Sequence, residues 1–380
     1  MSEKVLMKGN EALAEAALRA GCDCFFGYPI TPQTEVAAYM ARRMPKVGGV
    51  YLQAESEIAA INMIYGASAA GARVLTSSSS PGISLKSEGI SYLAGADLPA
   101  VIINVQRGGP GLGGIQPSQA DYWQATRAMG HGDFHVTVLA PSTVQEMCDL
   151  VALAFDLADR YRTQVMILAD GLLGQMMEPV VLPEPAGADA RADKPWALTG
   201  TGGVRPGNVA NSLCLVADNL EARNVERFRR YEVIRDSEQR AETYLVDDAE
   251  TVIVAFGACA RVAKSAIDTL RRDGVAVGLI RPITLWPWPA DAINAVLDGG
   301  VVRRMLSVEM SMGQMIDDVK LTVNGRIPVD FFGRSGGVVP TPAEVEGAVR
   351  RLVDAGDGAP AAAGVTAGVA AHNANNGKEA

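Results

Sequence analysis

The stretch AVIINVQ at residues 100–106 is a nearly continuous apolar run, which is typical of a strand buried on both faces. Shorter apolar runs precede it at residues 24–28, 50–53 and 73–76. Patterns typical of helices separate these runs, at residues 10–20, 32–43, 57–70 and 83–93, and a further helix is predicted after the run AVIINVQ, at 119–129. Strands that alternate with helices in this way indicate a parallel sheet covered by helices on both faces.

The alternation also predicts how the chain divides. It fills residues 1–182, breaks over 183–225, where Pro, Gly and Asp are frequent, and resumes over 226–354. A chain of 380 residues exceeds what one hydrophobic core usually supports. We therefore predict an α/β protein with two domains, each built on a mainly parallel sheet and joined by an excursion at 183–225. The low-complexity residues 355–380 predict a disordered tail.

Composition excludes several classes of function. The net charge of −9 and the lack of a basic run argue against nucleic-acid binding. The arginines at residues 223–230 are interleaved with Glu226, and we interpret them as a solvated helix face. No apolar stretch has the roughly 18 residues of a membrane helix, and the N-terminus lacks the apolar core of a signal peptide, so we expect no membrane contact and a cytoplasmic location. The five cysteines are scattered, without the spacing of an iron–sulfur cluster or a metal site.

Polar residues follow the predicted strands at the end where open α/β sheets place their ligands. Thr31 lies in the turn GYPITP at residues 27–32, and we predict that it caps a helix beginning at Pro32. Glu57 falls in the first turn of the next helix, behind a cap at Ser56. From the residues alone, a simple helix cap explains Thr31 about as well as a ligand site does. A surface carboxylate likewise explains Glu57 about as well as a ligand site does.

Two further loops are predicted at the same edge. The serine run TSSSSPG at residues 76–82, with Ser79 and Ser80, either supplies hydroxyls and N–H groups to a ligand or caps the next helix. Arg107, directly after AVIINVQ, suits a carboxylate, which a guanidinium can hold through two hydrogen bonds, or a structural ion pair. None of these loops contains one of the three histidines, which argues against Ser-His hydrolase chemistry.

Two glycine motifs have weaker interpretations. The sequence GPGLGG at residues 109–114 fits G-x-G-x-x-G, but no helical pattern opens on its last glycines, as a dinucleotide site requires. An NAD-dependent dehydrogenase would depend on this loop alone. Residues 356–358 (GDG) mimic a signature for Mg²⁺ and thiamine diphosphate, with asparagines downstream at Asn375 and Asn376. The spacing is too short and no strand precedes it, so we interpret it as chance.

Longer segments carry a resemblance to a known family. They resemble the alpha subunit of 2-oxoacid:ferredoxin oxidoreductases, most of all the branched-chain (2-oxoisovalerate) type and its aromatic relatives such as phenylglyoxylate dehydrogenase. The similarity covers about residues 5–354. It is carried by YPITPQTE at 28–35, AESEIAAINMIYGASAAGARVLTSSSSPG at 54–82, INVQRGGPGLGGIQPSQADYWQA at 103–125, the segment 130–179, VIVAFGACAR at 252–261, LIRPITLWPWP at 279–289 and FFGRSGGVVPTP at 331–342.

The resemblance implies a pyrimidine-binding domain for thiamine diphosphate at residues 1–182 and a domain like the transketolase C-terminal domain at 226–354. It places the family's pyrimidine-activating glutamate at Glu57, its substrate-contacting threonine at Thr31 and its carboxylate-binding arginine at Arg107. Further cofactor contacts are predicted at Tyr28, Pro29, Ser79 and Ser80.

The resemblance also implies that the chain is catalytic only in a complex. A beta subunit would hold Mg²⁺ and the diphosphate, a gamma subunit and a ferredoxin-like subunit with iron–sulfur clusters would complete the assembly, and ferredoxin would accept the electrons. The implied reaction is the oxidative decarboxylation of a 2-oxo acid to acyl-CoA and CO₂, with coenzyme A as co-substrate. A branched-chain 2-oxo acid is the first choice. The alternatives are an aryl 2-oxo acid, with NAD as terminal acceptor through a flavoprotein subunit, and a non-catalytic scaffold subunit.

Overall fold

A computed structural model describes residues 4–187 and 193–354. The strands are β1 (Val5–Lys8), β2 (Cys24–Gly27), β3 (Val50–Gln53), β4 (Val74–Ser78), β5 (Ala100–Gln106), β6 (Thr137–Leu139), β7 (Gln164–Asp170), β8 (Met177–Val180), β9 (Ala241–Tyr244), β10 (Thr251–Val254), β11 (Val277–Pro282), β12 (Thr284–Trp286), β13 (Arg304–Glu309) and β14 (Val329–Gly333). The predicted tail at 355–380, with its GDG motif, lies outside the described residues.

The α-helices alternate with most of these strands. They are α1 (Gly9–Arg19), α2 (Thr34–Arg43), α3 (Glu57–Ala69), α4 (Ser80–Gly95), α5 (Tyr122–Thr126), α6 (Val144–Tyr161), α7 (Gly171–Gln175), α8 (Ala217–Ser237), α9 (Gly257–Arg272), α10 (Ala290–Asp298), α11 (Met315–Val323) and α12 (Pro342–Asp354).

Two mainly parallel sheets organise the described residues. The larger has seven strands in the order β12-β6-β7-β5-β4-β2-β3, and only β12 runs antiparallel to its neighbour. The smaller has the order β14-β13-β10-β11-β9, with β9 antiparallel. β1 and β8 form an antiparallel pair beside them. The predicted α/β class, with parallel sheets covered by helices, is confirmed.

Strand β5 has the predicted bounds, and all seven of its residues are buried. Its side chains alternate between two cores, as the period of a strand requires. Val101 and Ile103 pack with α1, α2 and α6 on one face, while Ile102 packs with α3 and α4 on the other. The second core continues into the smaller sheet through Val252, so the two sheets share buried apolar surface.

Helices α3 and α4 approach each other closely at Gly89, where an added Cβ would lie 2.8 Å from Ile61 Cγ1. Because protein cores are close-packed, we expect Gly89→Ala to lower the free energy of unfolding by about 1–3 kcal/mol, measured by urea denaturation. Gly66→Ala in α3 is the matched control, since a Cβ there meets nothing within 4 Å. It should stabilise the chain by up to about 1 kcal/mol through helix propensity. Equal stability of Gly89→Ala and the wild type would contradict this close approach.

Two predicted helices have different bounds in the structure. The helix predicted at 119–129 is reduced to α5, because Gln119 bonds to Phe256 and Met310 instead of starting a helical turn. The helix predicted from Pro32 begins at Thr34, with Gln33 at its cap position. In both places a tertiary hydrogen bond takes a backbone group that a helix would otherwise use. The Gln119 N–H donates to the Met310 carbonyl, and the Pro32 carbonyl accepts from the Asn10 amide at 2.8 Å.

Described parts of the excursion and of the region after it contact elements of the larger domain. Helix α8 spans the predicted boundary between 225 and 226, and β12 adds a strand to the larger sheet from beyond that boundary. Arg227 in α8 is buried and donates to Asp97, at 3.2 Å. The interpretation of the arginines at 223–230 as a solvated helix face is therefore wrong for Arg227.

None of the α-helices within residues 4–187 and 193–354 combines the length and the apolar character that crossing a membrane requires.

Candidate active site

Four loops meet at one edge of the larger sheet, which we call the carboxyl edge. β2, β3, β4 and β5 are parallel and end at this edge, so the residues that follow them lie close together. These residues include Thr31, Glu57, Ser79 and Arg107. The structure thus brings together the side chains that the sequence pattern placed at the ends of separate strands.

Glu57 is the first residue of α3, behind Ser56, whose hydroxyl accepts from the Ala59 N–H at 3.2 Å. Its side chain is only 6% exposed. Within the described residues, no hydrogen bond or ion pair reaches its carboxylate. A buried carboxylate without a partner is costly, so this site suits a ligand that donates a hydrogen bond.

Gly82, in the first turns of α4, makes room for Glu57. A Cβ on Gly82 would lie 2.7 Å from Glu57 Oε1 and would also clash with the Ser78 hydroxyl. Only glycine leaves the carboxylate its present position. The small residue belongs to the segment 76–82 that the sequence analysis selected, although its steric role became visible only in the structure.

Arg107 joins two loops of the carboxyl edge. Its guanidinium donates to the carbonyl of Thr31 at 3.0 Å and to that of Leu112 at 3.1 Å. Its Nε is buried and has no partner in the described part of the chain. Because a guanidinium has five N–H donors, Arg107 keeps donors available for an anionic oxygen.

The serine run contributes in two different ways. The hydroxyls of Ser78 and Ser79 are buried and find no hydrogen-bond partner among the described residues. The Ser80 hydroxyl donates to Asp121 at 2.6 Å and accepts from the Arg107 backbone N–H at 3.0 Å. Ser78 and Ser79 are therefore free to meet a ligand, whereas Ser80 fixes the start of the Arg107 loop.

Asp121 accepts hydrogen bonds from the side chains of Ser80 and Asn104. Burial raises the pKa of its carboxyl, although hydrogen bonds from Ser80 and Asn104 act in the opposite direction. Asn104 also accepts from the Ser80 backbone N–H at 3.1 Å. Together these side chains hold the first turn of α4 against the end of β5, next to Arg107.

Thr31 is exposed at the carboxyl edge, and the prediction that it caps the helix at Pro32 is wrong. The reason is Gln33, which is fully buried, donates to the Tyr28 carbonyl and accepts from the Ser77 hydroxyl at 2.6 Å. These bonds tighten the turn before the helix begins. Tyr28 is half-buried and Pro29 is exposed in the same turn, and their assignment to the cofactor stays a prediction.

Gln33 and Lys86 are fully buried beside the site, although neither is among the predicted site residues. Lys86 donates to the Thr76 hydroxyl at 2.7 Å and to the Ser77 carbonyl at 3.0 Å. A signal was present for the lysine, because it shares the helical spacing of the buried Ile83 and Ile90. No comparable signal marks Gln33.

The remaining sequence motifs give little evidence for a binding site. The glycine-rich segment 109–114 leads into no helix before Tyr122, so the strand–turn–helix context of a dinucleotide site is missing there. In residues 4–187 and 193–354, no group of three or more His, Cys, Asp or Glu side chains is arranged to hold a metal ion. Three of the buried polar atoms that have no hydrogen-bond partner among the described residues lie at the carboxyl edge, namely Ser78 Oγ, Ser79 Oγ and Arg107 Nε. These atoms fit an organic ligand with both donors and acceptors.

The chain matches two known protein families. Residues 15–202 match the family described as pyruvate flavodoxin/ferredoxin oxidoreductase, thiamine diP-binding. Residues 249–345 match the family described as pyruvate:ferredoxin oxidoreductase core domain II. The first match contains every residue of the carboxyl edge discussed above.

Similar proteins cover most of the chain. The ketoisovalerate oxidoreductase subunit VorB of Methanothermobacter thermautotrophicus is 53% identical over 332 residues, which is 87% of this chain and 93% of that protein. The 2-oxoglutarate synthase subunit KorA of Archaeoglobus fulgidus is 38% identical over 335 residues, 87% of this chain and 95% of that protein.

Solved structures show the same architecture. A 2-oxoglutarate:ferredoxin oxidoreductase from Magnetococcus marinus, solved with 2-oxoglutarate, coenzyme A and succinyl-CoA bound, has a TM-score of 0.81 at 27% identity. The similarity covers 93% of this chain and 66% of that longer chain. A split-gene transketolase, solved as an inactive beta4 tetramer, has a TM-score of 0.57 at 15% identity over 92% of this chain and 98% of its own, which shows a shared fold.

Proposed function

This chain belongs to the 2-oxoacid:ferredoxin oxidoreductase family, and on that premise we propose that it is the alpha subunit of an enzyme that converts a branched-chain 2-oxo acid and coenzyme A to acyl-CoA and CO₂. The observation that carries the proposal is Glu57, which is buried at the carboxyl edge and receives no hydrogen bond on its carboxylate from the described residues. The 53% identity to a ketoisovalerate oxidoreductase subunit supports the choice of substrate.

The residues of the carboxyl edge fit thiamine diphosphate as the cofactor. Glu57 would accept a hydrogen bond from the pyrimidine ring, and the unpaired hydroxyls of Ser78 and Ser79 would meet its polar atoms. When bound, the cofactor supplies the nucleophilic carbon and the electron sink that decarboxylation of a 2-oxo acid requires. Tyr28 and Pro29 would line the entrance at the same turn.

The chain's own residues would orient the substrate. Arg107 would bind the carboxylate of the 2-oxo acid with the donors that Thr31 and Leu112 leave free. Thr31 is exposed beside it and would hydrogen-bond the acid through its hydroxyl. The positive charge is placed before the substrate arrives, so no reorganisation is needed to hold the acid in a reactive orientation.

The other components would come from partner subunits. The relatives are themselves named as subunits, which supports an assembly of several chains. We assign Mg²⁺ and the diphosphate group to a beta subunit, iron–sulfur clusters to a ferredoxin-like subunit, a further role to a gamma subunit, and the electrons to ferredoxin. We place this assembly in the cytoplasm.

Reconstitution tests the proposal. The chain, expressed alone and together with its beta, gamma and cluster subunits, should be assayed for acceptor reduction with coenzyme A and a panel of 2-oxo acids. We expect the assembled enzyme to prefer 3-methyl-2-oxobutanoate over phenylglyoxylate, 2-oxoglutarate and pyruvate. We expect the chain alone to be colourless, iron-free and inactive, because in our proposal the iron–sulfur clusters, the Mg²⁺ and the diphosphate site all belong to other subunits.

Each contrary result has a defined meaning. A preference for phenylglyoxylate would establish the aryl alternative. An assembled enzyme that uses none of the four acids would overturn the branched-chain proposal. Turnover of an arylpyruvate would then support the aryl alternative, and no turnover of it would support a scaffold. Calorimetry on the chain alone is the remaining control. Micromolar, Mg²⁺-dependent binding of thiamine diphosphate to it would show that the diphosphate site has been assigned to the wrong subunit.

A further inference from the structure

Lys86 is a lysine with no exposed surface, in the middle of α4. Its ammonium is fixed on β4, where it donates to the Thr76 hydroxyl at 2.7 Å and to the Ser77 carbonyl at 3.0 Å. The Thr76 hydroxyl in turn donates to the Phe26 carbonyl at 2.7 Å. These bonds hold the charge at one place, but both acceptors are neutral, and neutral acceptors do not repay the removal of a charge from water.

The compensating charge lies on α3. Gly82 and Lys86 are four residues apart in α4 and so share one face of the helix. The Cβ position of Gly82 is 2.7 Å from Glu57 Oε1, which places that carboxylate directly above this face. The electrostatic field of Glu57 reaches Lys86. Among the described residues, Glu57 is the charged group whose electrostatic field raises the pKa of Lys86. The groups that Lys86 contacts on β4, in Thr76 and Ser77, are neutral.

We propose that Lys86 is a positioning residue for Glu57, whose buried ammonium balances the Glu57 carboxylate and holds it in place at the carboxyl edge. Glu57 has no hydrogen bond of its own in the described part of the chain, so without Lys86 it would be an uncompensated buried charge. The charge pair therefore fixes a group that the cofactor meets. The importance of this for catalysis rests on the proposed function, whereas the pairing itself is a property of the chain.

The pairing has a consequence for stability against pH. The pKa of Lys86 is lowered to about 7, because the lowering by burial outweighs the raising effect of the Glu57 carboxylate. Because the unfolded chain keeps a lysine protonated to about pH 10.4, the unfolded state binds more protons between these values. The free energy of unfolding should therefore increase as the pH rises from about 7 to about 10. Glu57→Gln should start this increase at a lower pH, and Lys86→Met should abolish it.

A double-mutant cycle on the full chain separates charge pairing from a merely structural role. Lys86→Met, Glu57→Gln and the double variant are compared by urea unfolding at pH 6.5. If the charges are paired, each single variant leaves one buried charge alone, and the double variant is more stable than the sum of the two losses predicts. We expect this coupling to change the unfolding equilibrium constant about tenfold or more. Additive losses would overturn the proposal.

Lys86→Gln gives a second, independent comparison. Its amide can still donate to Thr76 and Ser77 but carries no charge, so it should show the same coupling to Glu57 as Lys86→Met does. Full recovery of wild-type stability in Lys86→Gln, with no coupling, would mean that the lysine only joins α4 to β4. Should the methionine variant fail to fold, NMR titration of ¹³C-labelled lysine remains. The Lys86 midpoint should fall in Glu57→Gln, and an unchanged midpoint would contradict the pairing.

The same variants keep this inference distinct from the proposed function. In the assembled enzyme, Lys86→Met should lower kcat for the 2-oxo acid while its KM stays within about twofold, because Arg107 still binds the acid. If Glu57→Gln leaves turnover unchanged but the cycle shows coupling, the catalytic role of Glu57 is wrong and the charge pair stands. If turnover falls in Glu57→Gln but the cycle is additive, the charge pair is wrong and the catalytic role stands.

Discussion

Replacing Glu57 with Gln in the assembled enzyme should lower kcat by about 10²-fold or more, because it removes a positioned proton-transfer partner of the cofactor. The amide keeps the size of the side chain but cannot carry the negative charge that Glu57 holds at the carboxyl edge. The iron–sulfur content of the complex should not change, since those groups belong to other subunits in our proposal. Steady-state turnover and iron analysis on the same preparation measure both quantities.

Glu55→Gln is the matched control for this change. Glu55 precedes the same helix by two residues but is exposed to solvent. The same chemical substitution there should leave kcat within about twofold, as expected for a surface site. Wild-type turnover in Glu57→Gln would remove Glu57 from the mechanism, and an equal loss in both variants would point to a general effect of charge.

Arg107→Ala should mainly weaken binding of the 2-oxo acid. Losing a charge-assisted pair to a carboxylate costs about 2–4 kcal/mol, which corresponds to a rise in KM of roughly 30-fold or more. Part of the loss in affinity will come from displacement of the loops that contain Thr31 and Leu112, because Arg107 donates hydrogen bonds to the carbonyls of both residues. Arg107→Lys should recover only part of the affinity, since an ammonium lacks the planar fork of the guanidinium.

A remote arginine provides the control for Arg107. Arg229 lies on the exposed side of α8 and, among the described residues, pairs with Glu226 alone, a contact of the kind that contributes little. Arg229→Ala should therefore leave KM and kcat unchanged. If KM for the 2-oxo acid and kcat/KM both stay at wild-type values in Arg107→Ala, Arg107 does not bind the substrate carboxylate.

Much of the fold was predictable because its signals are local. The apolar run of β5 and the Ser56 cap of α3 depend on residues within one element, and both are found where the sequence predicts them. The position of the functional loops followed from a general rule, that parallel strands end at the same edge. Glu57, Arg107 and Thr31 could therefore be placed together before any contact between them was known.

Other features depend on partners that are far away in the chain. Gln119 shortens the helix predicted at 119–129 because it bonds to Phe256 and Met310, more than 130 residues away. Arg227 is buried because Asp97 lies opposite it, and no pattern within α8 indicates that pairing. Hydrogen bonds of this kind are invisible to periodicity, which reports only on neighbours along the same helix or strand.

The sequence by itself therefore determined the class of fold and indicated the edge of the sheet that carries the candidate site, together with its charged groups. Periodicity and strand direction decide these, and both are properties of short segments. Only the tertiary structure decided that Glu57 is buried without a hydrogen bond, that Ser80 serves the Arg107 loop, and that Lys86 lies beneath the site. Burial and charge compensation depend on which elements pack together in space, since the free energy of a charge is set by its three-dimensional surroundings.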